Sequence, residues 1–258
     1  MNMLGAIAGD IIGSVYEFHN TRQADFPLFS TDSRFTDDTV LTCAIADALL
    51  SGVSYQDKLK EYFLLFPNAG YGAQFMRWCF QKDAKPYNSY GNGSAMRVSP
   101  VAYAFNKIEL ILEEAKKSAE VSHNHPEGIK GAQAVAVSIF LARSGASKKE
   151  IKAFVQDNFS YVLDFDLDEL QENYKYDMTC QGSVPQAIFC FLESNNYEDA
   201  IRKAVSIGGD SDTIACISGG IAEAFYKEVP EQIKEKVFKI LDQRLIKVIN
   251  DFNDKYLT

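Results

Sequence analysis

The chain reads as an all-α protein, and three observations carry that reading. Apolar residues recur at three- and four-residue spacing along most of its 258 positions, which places them on one face of a helix. Two-residue alternation with β-branched enrichment, the mark of a half-buried strand, is missing almost everywhere. Nothing alternates strand with helix as a parallel α/β sheet requires. Hydrophobic residues make up 47% of the chain and charged residues 24%, which excludes disordered and fibrous chains. With no Gly/Pro/Ser-rich linker, residues 1–258 read as a single domain.

The periodicity predicts helices in order. The first, Met3–Phe18, is apolar, with Gly5, Gly9 and Gly13 at i, i+4 and i+8 on one face, a stripe that permits close helix approach. Asp37–Leu50 follows, rich in alanine and poor in charge, and then Tyr55–Phe66 and Leu110–Val121, which carry charge opposite apolar positions. Gly128–Arg143 returns to the Ala/Gly/Ser pattern, and Lys148–Phe159 is amphipathic. Pro185–Glu193 begins on a proline, Tyr197–Val205 is amphipathic, Thr213–Tyr226 is small-residue-rich and Gln232–Phe252 is long and charged. The four helices starting near 3, 37, 128 and 213 are expected to form the central layer, and the charged ones the outer shell. Three stretches, Phe18–Phe35, Asp83–Gly93 and Tyr161–Ser183, break the pattern, and loops of that length in a compact domain are more often functional than idle. The acidic run Asp164–Glu169 in the third reads as a solvated surface segment.

Charge and cysteine usage limit the function classes. Lys and Arg number 26 against 35 Asp and Glu, a net charge of −9. So acidic a body repels a polyanion, and no Lys/Arg cluster is longer than a doublet, so nucleic-acid binding is not expected. The five cysteines are widely spaced with no C-x-x-C pair, as expected of free thiols in a reducing compartment. Met1–Gly13 is apolar, yet it lacks a basic start and carries Asp10, which argues against a signal peptide. No apolar run reaches 18 residues, so no membrane span is expected, and a cytoplasmic location follows.

The sharpest signals are Phe35-Thr36-Asp37-Asp38-Thr39 and Gly208-Gly209-Asp210-Ser211-Asp212-Thr213. Each precedes a buried-type helix, and either alone reads as an N-terminal cap that complements the macrodipole. Together they pair carboxylates with threonine hydroxyls at two core-helix starts. If those starts meet, four carboxylates share one volume, where two charges about 4 Å apart repel by about 4 kcal/mol at an effective dielectric of 20. Raised pKa values or bound cations relieve such repulsion. Oxygen-only donors select hard ions, Mg²⁺, Mn²⁺ or Ca²⁺, and two divalent ions balance Asp37, Asp38, Asp210 and Asp212.

Ser89-Tyr90-Gly91-Asn92-Gly93-Ser94-Ala95-Met96-Arg97 is a second glycine-rich segment. It is a turn whose freed amides suit a phosphate, with Arg97 as a local cation. His123 and His125, in Ser122-His123-Asn124-His125-Pro126, lack a third soft ligand and read as ligand contacts or loop staples rather than a zinc site. Glu17 falls at a helix C-terminus, where the dipole disfavours a carboxylate; that misplacement points to a function.

In this order these motifs resemble the ADP-ribosylglycohydrolase family, together with Gly5-Ala6-Ile7-Ala8-Gly9-Asp10 and Cys180-Gln181-Gly182-Ser183-Val184-Pro185. The resemblance spans essentially the whole chain. It implies a compact orthogonal helical bundle holding two Mg²⁺ (or Mn²⁺) ions, with Thr36, Asp37 and Asp38 on one side and Asp210, Asp212 and Thr213 on the other. Ser89, Tyr90, Gly91, Asn92, Gly93, Ser94, Arg97, His123 and His125 are expected around the substrate, and Glu17, Asp37, Asp38 and Asp212 at the reaction centre. The implied reaction is hydrolysis at C1″ of an ADP-ribose adduct on a protein or small molecule, through an oxocarbenium-like transition state, in a protein expected to be monomeric. Two alternatives stand beside it. One is an ADP-ribose-binding module without catalysis. The other is a metal-dependent phosphohydrolase, which would need its aspartates at the end of a parallel strand.

Overall fold

A computed structural model describes residues 3–257, and within them the regular structure is helical throughout. The helices are α1 (Gly5–Gly13), α2 (Asp37–Ser51), α3 (Tyr55–Leu65), α4 (Ala73–Phe80), α5 (Gly93–Met96), α6 (Ser99–Ala104), α7 (Ile108–Glu120) and α8 (Pro126–Arg143). They continue as α9 (Lys148–Phe159), α10 (Leu167–Asn173), α11 (Cys180–Leu192), α12 (Tyr197–Ser206), α13 (Ser211–Tyr226), α14 (Glu231–Ile240) and α15 (Gln243–Tyr256). Among the described residues the β geometry consists of an isolated antiparallel bridge between Gly91 and Thr179. The all-α expectation holds.

α13 is the axis of the fold. It is buried along nearly its whole length and packs against α1, α8, α11 and α12. α1 is buried at every position and lies antiparallel on α13 through its glycine stripe. A Cβ on Gly5 would meet Gly219 and Glu223, one on Gly9 would fall on the Ala215 carbonyl, and one on Gly13 would lie 2.5 Å from Asp212 Cα. Only glycine leaves room for that approach. The buried Glu223 carboxylate in turn accepts from Leu4 and Gly5 N–H at 3.0 and 2.7 Å, capping α1 where no local side chain does. The small-residue helices α2 and α8 are also mostly buried. The expected central layer is therefore present, with α11 and α12 added to it. One continuous apolar core runs through all of them.

Several boundaries differ from the sequence expectation. The first helix ends at Gly13 rather than Phe18, so Glu17 lies in the irregular segment beyond it. α11 begins at Cys180, capped by the Thr179 side chain on Gly182 N–H, and contains Pro185 internally. The proline lies in the second turn, early enough that its missing N–H removes one helical bond without ending the helix. The predicted helix 232–252 is broken at Leu241, and Asp242 caps the new start at Gln243. α4, α5, α6 and α10 are short helices in stretches that the periodicity left unassigned. All five cysteines are buried and free. Among the described residues no helix is long and apolar enough to cross a membrane.

Candidate active site

The antiparallel α1–α13 contact sets the site, because it lays the C-terminal end of α1 beside the N-terminal end of α13. The two chain segments there are stapled by Asn20. Its side-chain amide donates to the carbonyls of Tyr16 (2.6 Å) and Gly209 (3.0 Å), and its oxygen accepts from Gly209 N–H at 2.8 Å. Gly208 and Gly209 both adopt positive φ, 72° and 75°, a tight turn that delivers Asp210 to the start of α13. Glu17, Asp210 and Asp212 then offer carboxylate oxygens within 4.8 Å of one another.

The second cluster is brought in by Asp10. This fully buried carboxylate on α1 accepts from Thr36 N–H (3.0 Å), Thr36 Oγ1 (2.6 Å), Thr39 N–H (3.1 Å) and the Thr39 hydroxyl. It thereby caps the start of α2 from a neighbouring helix and fixes the direction in which Asp37 and Asp38 emerge. Asp37 N–H is tied to the Ala69 carbonyl at 2.7 Å. The two clusters meet directly: Thr213 Oγ1 donates to Asp38 Oδ1 at 3.3 Å. The other oxygen, Asp38 Oδ2, is buried with no hydrogen-bond partner. Asn92 donates to Asp210 Oδ2 at 2.6 Å, which attaches the glycine-rich turn to the same centre.

Six carboxylates are thus gathered in a volume of low polarity, and each is pushed up in pKa. Burial is the leading cause at every one. Repulsion from Asp10 raises Asp37 further, to about 8, and repulsion from Asp210 helps raise Glu17 to about 7. Asp38 and Asp212 lie well above the ordinary carboxylate range, through burial and then their acidic neighbours. Asp10 and Asp210 are raised less decisively, because hydrogen bonds from Thr36 and Thr39, and from Asn92, favour their charged forms.

A stability prediction follows with definite sign. In chelator, the folded protein keeps protons on these carboxyls that the unfolded chain releases. For Asp37 the window runs from its ordinary 3.8 to about 8. Stability therefore falls as pH rises through that window. Differential scanning fluorimetry in chelator should show a melting temperature several degrees lower at the alkaline end of this window than at the acid end. Added Mg²⁺ should remove most of the slope. A flat profile in chelator would contradict the clustering.

The substrate-side residues divide into two groups. Ser89, Tyr90, Gly91, Asn92 and Gly93 form the turn that joins α5 to the 178–180 segment. Asn92 N–H donates to the Met178 carbonyl (2.7 Å) and Cys180 N–H to the Tyr90 carbonyl (2.9 Å). Tyr90 is exposed, with its ring 5.2 Å from that of His125. The His123 ring faces the turn, its Nε2 lying 3.1 Å from where a Cβ on Gly93 would be. His125 accepts Glu127 N–H at Nδ1 (3.1 Å) and caps α8.

Ser94 and Arg97 depart from expectation. Both are 0% exposed. Ser94 donates to the Gly128 carbonyl (2.7 Å), and Arg97 to the Ser118 carbonyl (3.1 Å) and Ser122 Oγ (2.9 Å). Packing on α8 turns Ser94 inward, and bonds to the end of α7 turn Arg97 inward. Asp10, Asn20 and Tyr176 join the site beyond what the sequence predicts; the Tyr176 hydroxyl donates to Glu17 Oε1 at 3.3 Å. For Asp10 a signal existed, a lone carboxylate inside an apolar helix. For Tyr176 there was none, since a tyrosine in an irregular segment carries no pattern.

Comparison with known proteins places these features. The model of the ADP-ribosylglycohydrolase family matches residues 2–257. The ADP-ribosylhydrolase ARH3 of Mus musculus is 27% identical, over 89% of this chain and 84% of its own length. The ADP-ribosylarginine hydrolase Tri1 of Pseudomonas putida is 26% identical, over 91% of this chain and 72% of its own length. A solved ADP-ribosylglycohydrolase-related protein complex shares the fold with a TM-score of 0.72 at 22% identity, covering 97% of this chain and 95% of that one.

Proposed function

Because the chain belongs to the ADP-ribosylglycohydrolase family and is a hydrolase of that kind, we propose that it cleaves the glycosidic bond at C1″ of ADP-ribose adducts on proteins or small molecules. The observation that carries this reading is the meeting of two acidic helix starts through Thr213 and Asp38, with Asp38 Oδ2 buried and unpartnered. A buried carboxylate oxygen in such company holds a proton or faces a cation, and we take a cation to be its partner in the working enzyme. The carboxylate and hydroxyl donors of the two helix starts are hard oxygens, which suits two Mg²⁺ ions, or Mn²⁺ in their place. Thr36, Asp37 and Asp38 would hold them from α2, and Asp210, Asp212 and Thr213 from α13. When bound, such ions would balance the carboxylate charge and polarise ribose and water oxygens.

The remaining chemistry belongs to side chains. Glu17, half-buried with its pKa pushed up to about 7, exchanges protons near neutral pH and serves as the acid/base. In the cleavage step water bonds to C1″, the bond from C1″ to the leaving N or O breaks, Glu17 gives its proton to the leaving atom, and the proton shed by the attacking water restores Glu17. Asp10 positions α2 and, through it, Asp37 and Asp38. The turn Ser89–Gly93, with His123, Tyr90 and His125 around it, receives the ribose and pyrophosphate. Gly91 and Asn92 N–H are spent within the fold, on Ser89 Oγ and the Met178 carbonyl, so His123 and the other uncharged polar groups of the turn would meet an anionic ligand in a protein of net charge −9. Buried free thiols support action in the cytoplasm, and we take the working form to be a monomeric single domain.

Mass spectrometry of ADP-ribose release tests the reading, with arginine-, serine- and O-acetyl-linked substrates in Mg²⁺ and in chelator. Free ADP-ribose from at least one substrate, in Mg²⁺ only, is expected. Binding of ADP-ribose without cleavage of any adduct would mark a binding module. Inorganic phosphate without ADP-ribose would mark a phosphohydrolase.

A further inference from the structure

Three polar side chains run in series from the interior to the glycine-rich turn. Arg97 is fully buried, and its Nη2 donates to Ser122 Oγ at 2.9 Å. Ser122 Oγ lies 2.8 Å from His123 Nδ1. His123 Nε2 faces the turn, 3.1 Å from the place of a Cβ on Gly93 and 3.7 Å from that on Gly91.

The direction of each bond in this series is fixed by proton count. A guanidinium has donors only, so Ser122 Oγ must accept from Arg97. Burial lowers the Arg97 pKa only to about 10, so it stays charged at neutral pH. The single Ser122 hydrogen then has His123 Nδ1 as its available acceptor. Were Nδ1 protonated instead, Ser122 would accept twice and its own hydrogen would be stranded in a site that is 0% exposed. A doubly protonated ring is opposed by burial and by the Arg97 charge, which together hold His123 well below its usual pKa.

We infer that Arg97 and Ser122 lock His123 as the neutral tautomer with its proton on Nε2, aimed at the Gly91–Gly93 turn as a donor to an anionic oxygen. Arg97 is thus a positioning residue, not the ligand contact that its place in the sequence suggested. The tautomer lock stands independently of the reaction. That the oxygen belongs to the pyrophosphate or ribose of ADP-ribose rests on the functional reading above. A lone pair at Nε2 would repel such an oxygen, whereas the N–H attracts it.

Ring ¹⁵N NMR of His123 in the unliganded holoenzyme reads the tautomer directly. Wild type is expected to show Nδ1 bare and Nε2 protonated. Ser122→Ala, which removes the hydroxyl but leaves the buried guanidinium in place, is expected to lose that preference. Ser122→Thr, which retains the hydroxyl, should restore it. The dissociation constant for free ADP-ribose should rise roughly tenfold in Ser122→Ala, as for other outer-layer orienting groups. A protonated Nδ1 in wild type, or an unchanged tautomer in Ser122→Ala, overturns the lock. An altered tautomer with unchanged ADP-ribose affinity overturns the assignment of Nε2 to the ligand. If wild type binds no ADP-ribose at all, the functional reading fails, while the NMR result still decides the lock.

Discussion

Asp212→Asn is expected to reduce ADP-ribose release by about 10²- to 10³-fold, the range seen when one preorganised electrostatic group is lost from an active site. The same substitution is expected to raise the melting temperature in chelator. Asp212 is 4% exposed, and its carboxyl is held well above the normal range by burial and then by Asp210, Asp38, Glu17 and Asp10. Asparagine keeps the shape and still accepts Thr213 N–H, now bound at 2.9 Å, but it is neutral without having to take up a proton among like groups as the buried Asp212 carboxyl must. A gain of stability coupled to a loss of activity marks a group retained for function at the expense of the fold. In Mg²⁺ the order is expected to reverse: ions that bind the native state alone would stabilise wild type, and the variant should gain little. A destabilised variant in chelator, or one with full turnover, would show that Asp212 is an ordinary cap.

Gly9→Ala tests the packing that creates the site. The added Cβ would fall on the Ala215 carbonyl and crowd Cys216 N, and backbone on a buried helix cannot move aside as a flexible side chain can. Overpacking of this kind costs about 3 kcal/mol, which for a chain of this size lowers the melting temperature by roughly 6–12 °C. The consequence reaches further than stability. α1 and α13 hold Glu17 against Asp210 and Asp212, so any sliding of the helices that relieves the clash separates those carboxylates. Thermal denaturation and a turnover assay on the folded fraction should both show the loss. Wild-type values in both would mean that the two helices are less tightly opposed than the geometry requires.

The readable parts of the sequence were those with local causes. Asp37-Asp38 and Asp210-Ser211-Asp212 stand out because carboxylates precede helices too apolar to be surface elements. The stripe Gly5, Gly9, Gly13 marked the face of close approach, though not its partner. Recognising α13 requires seeing that Ala215 and Gly219 present a matching small-residue face, a tertiary fact. The burial of Ser94 and Arg97 is not legible, because it is set by bonds from Ser94 to α8 and from Arg97 to the end of α7 and not by the pattern of the four-residue α5. Glu17 was read as the end of a long first helix. The helix ends at Gly13 instead, and Asn20 holds the exit segment against Gly209. Its closeness to Asp210 and Asp212 comes from that side-chain staple, which no periodicity encodes.

The most direct test of the account is the number of Mn²⁺ ions retained per chain, measured by elemental analysis after equilibration and desalting, for wild type, Asp38→Asn and Asp212→Asn. These two variants each remove a carboxylate from a different half of the centre. The account predicts about two ions in wild type and a clear deficit in both variants, since each half alone lacks the charge to hold a divalent pair. Wild type that retains none, or variants that retain as many as wild type, would contradict it.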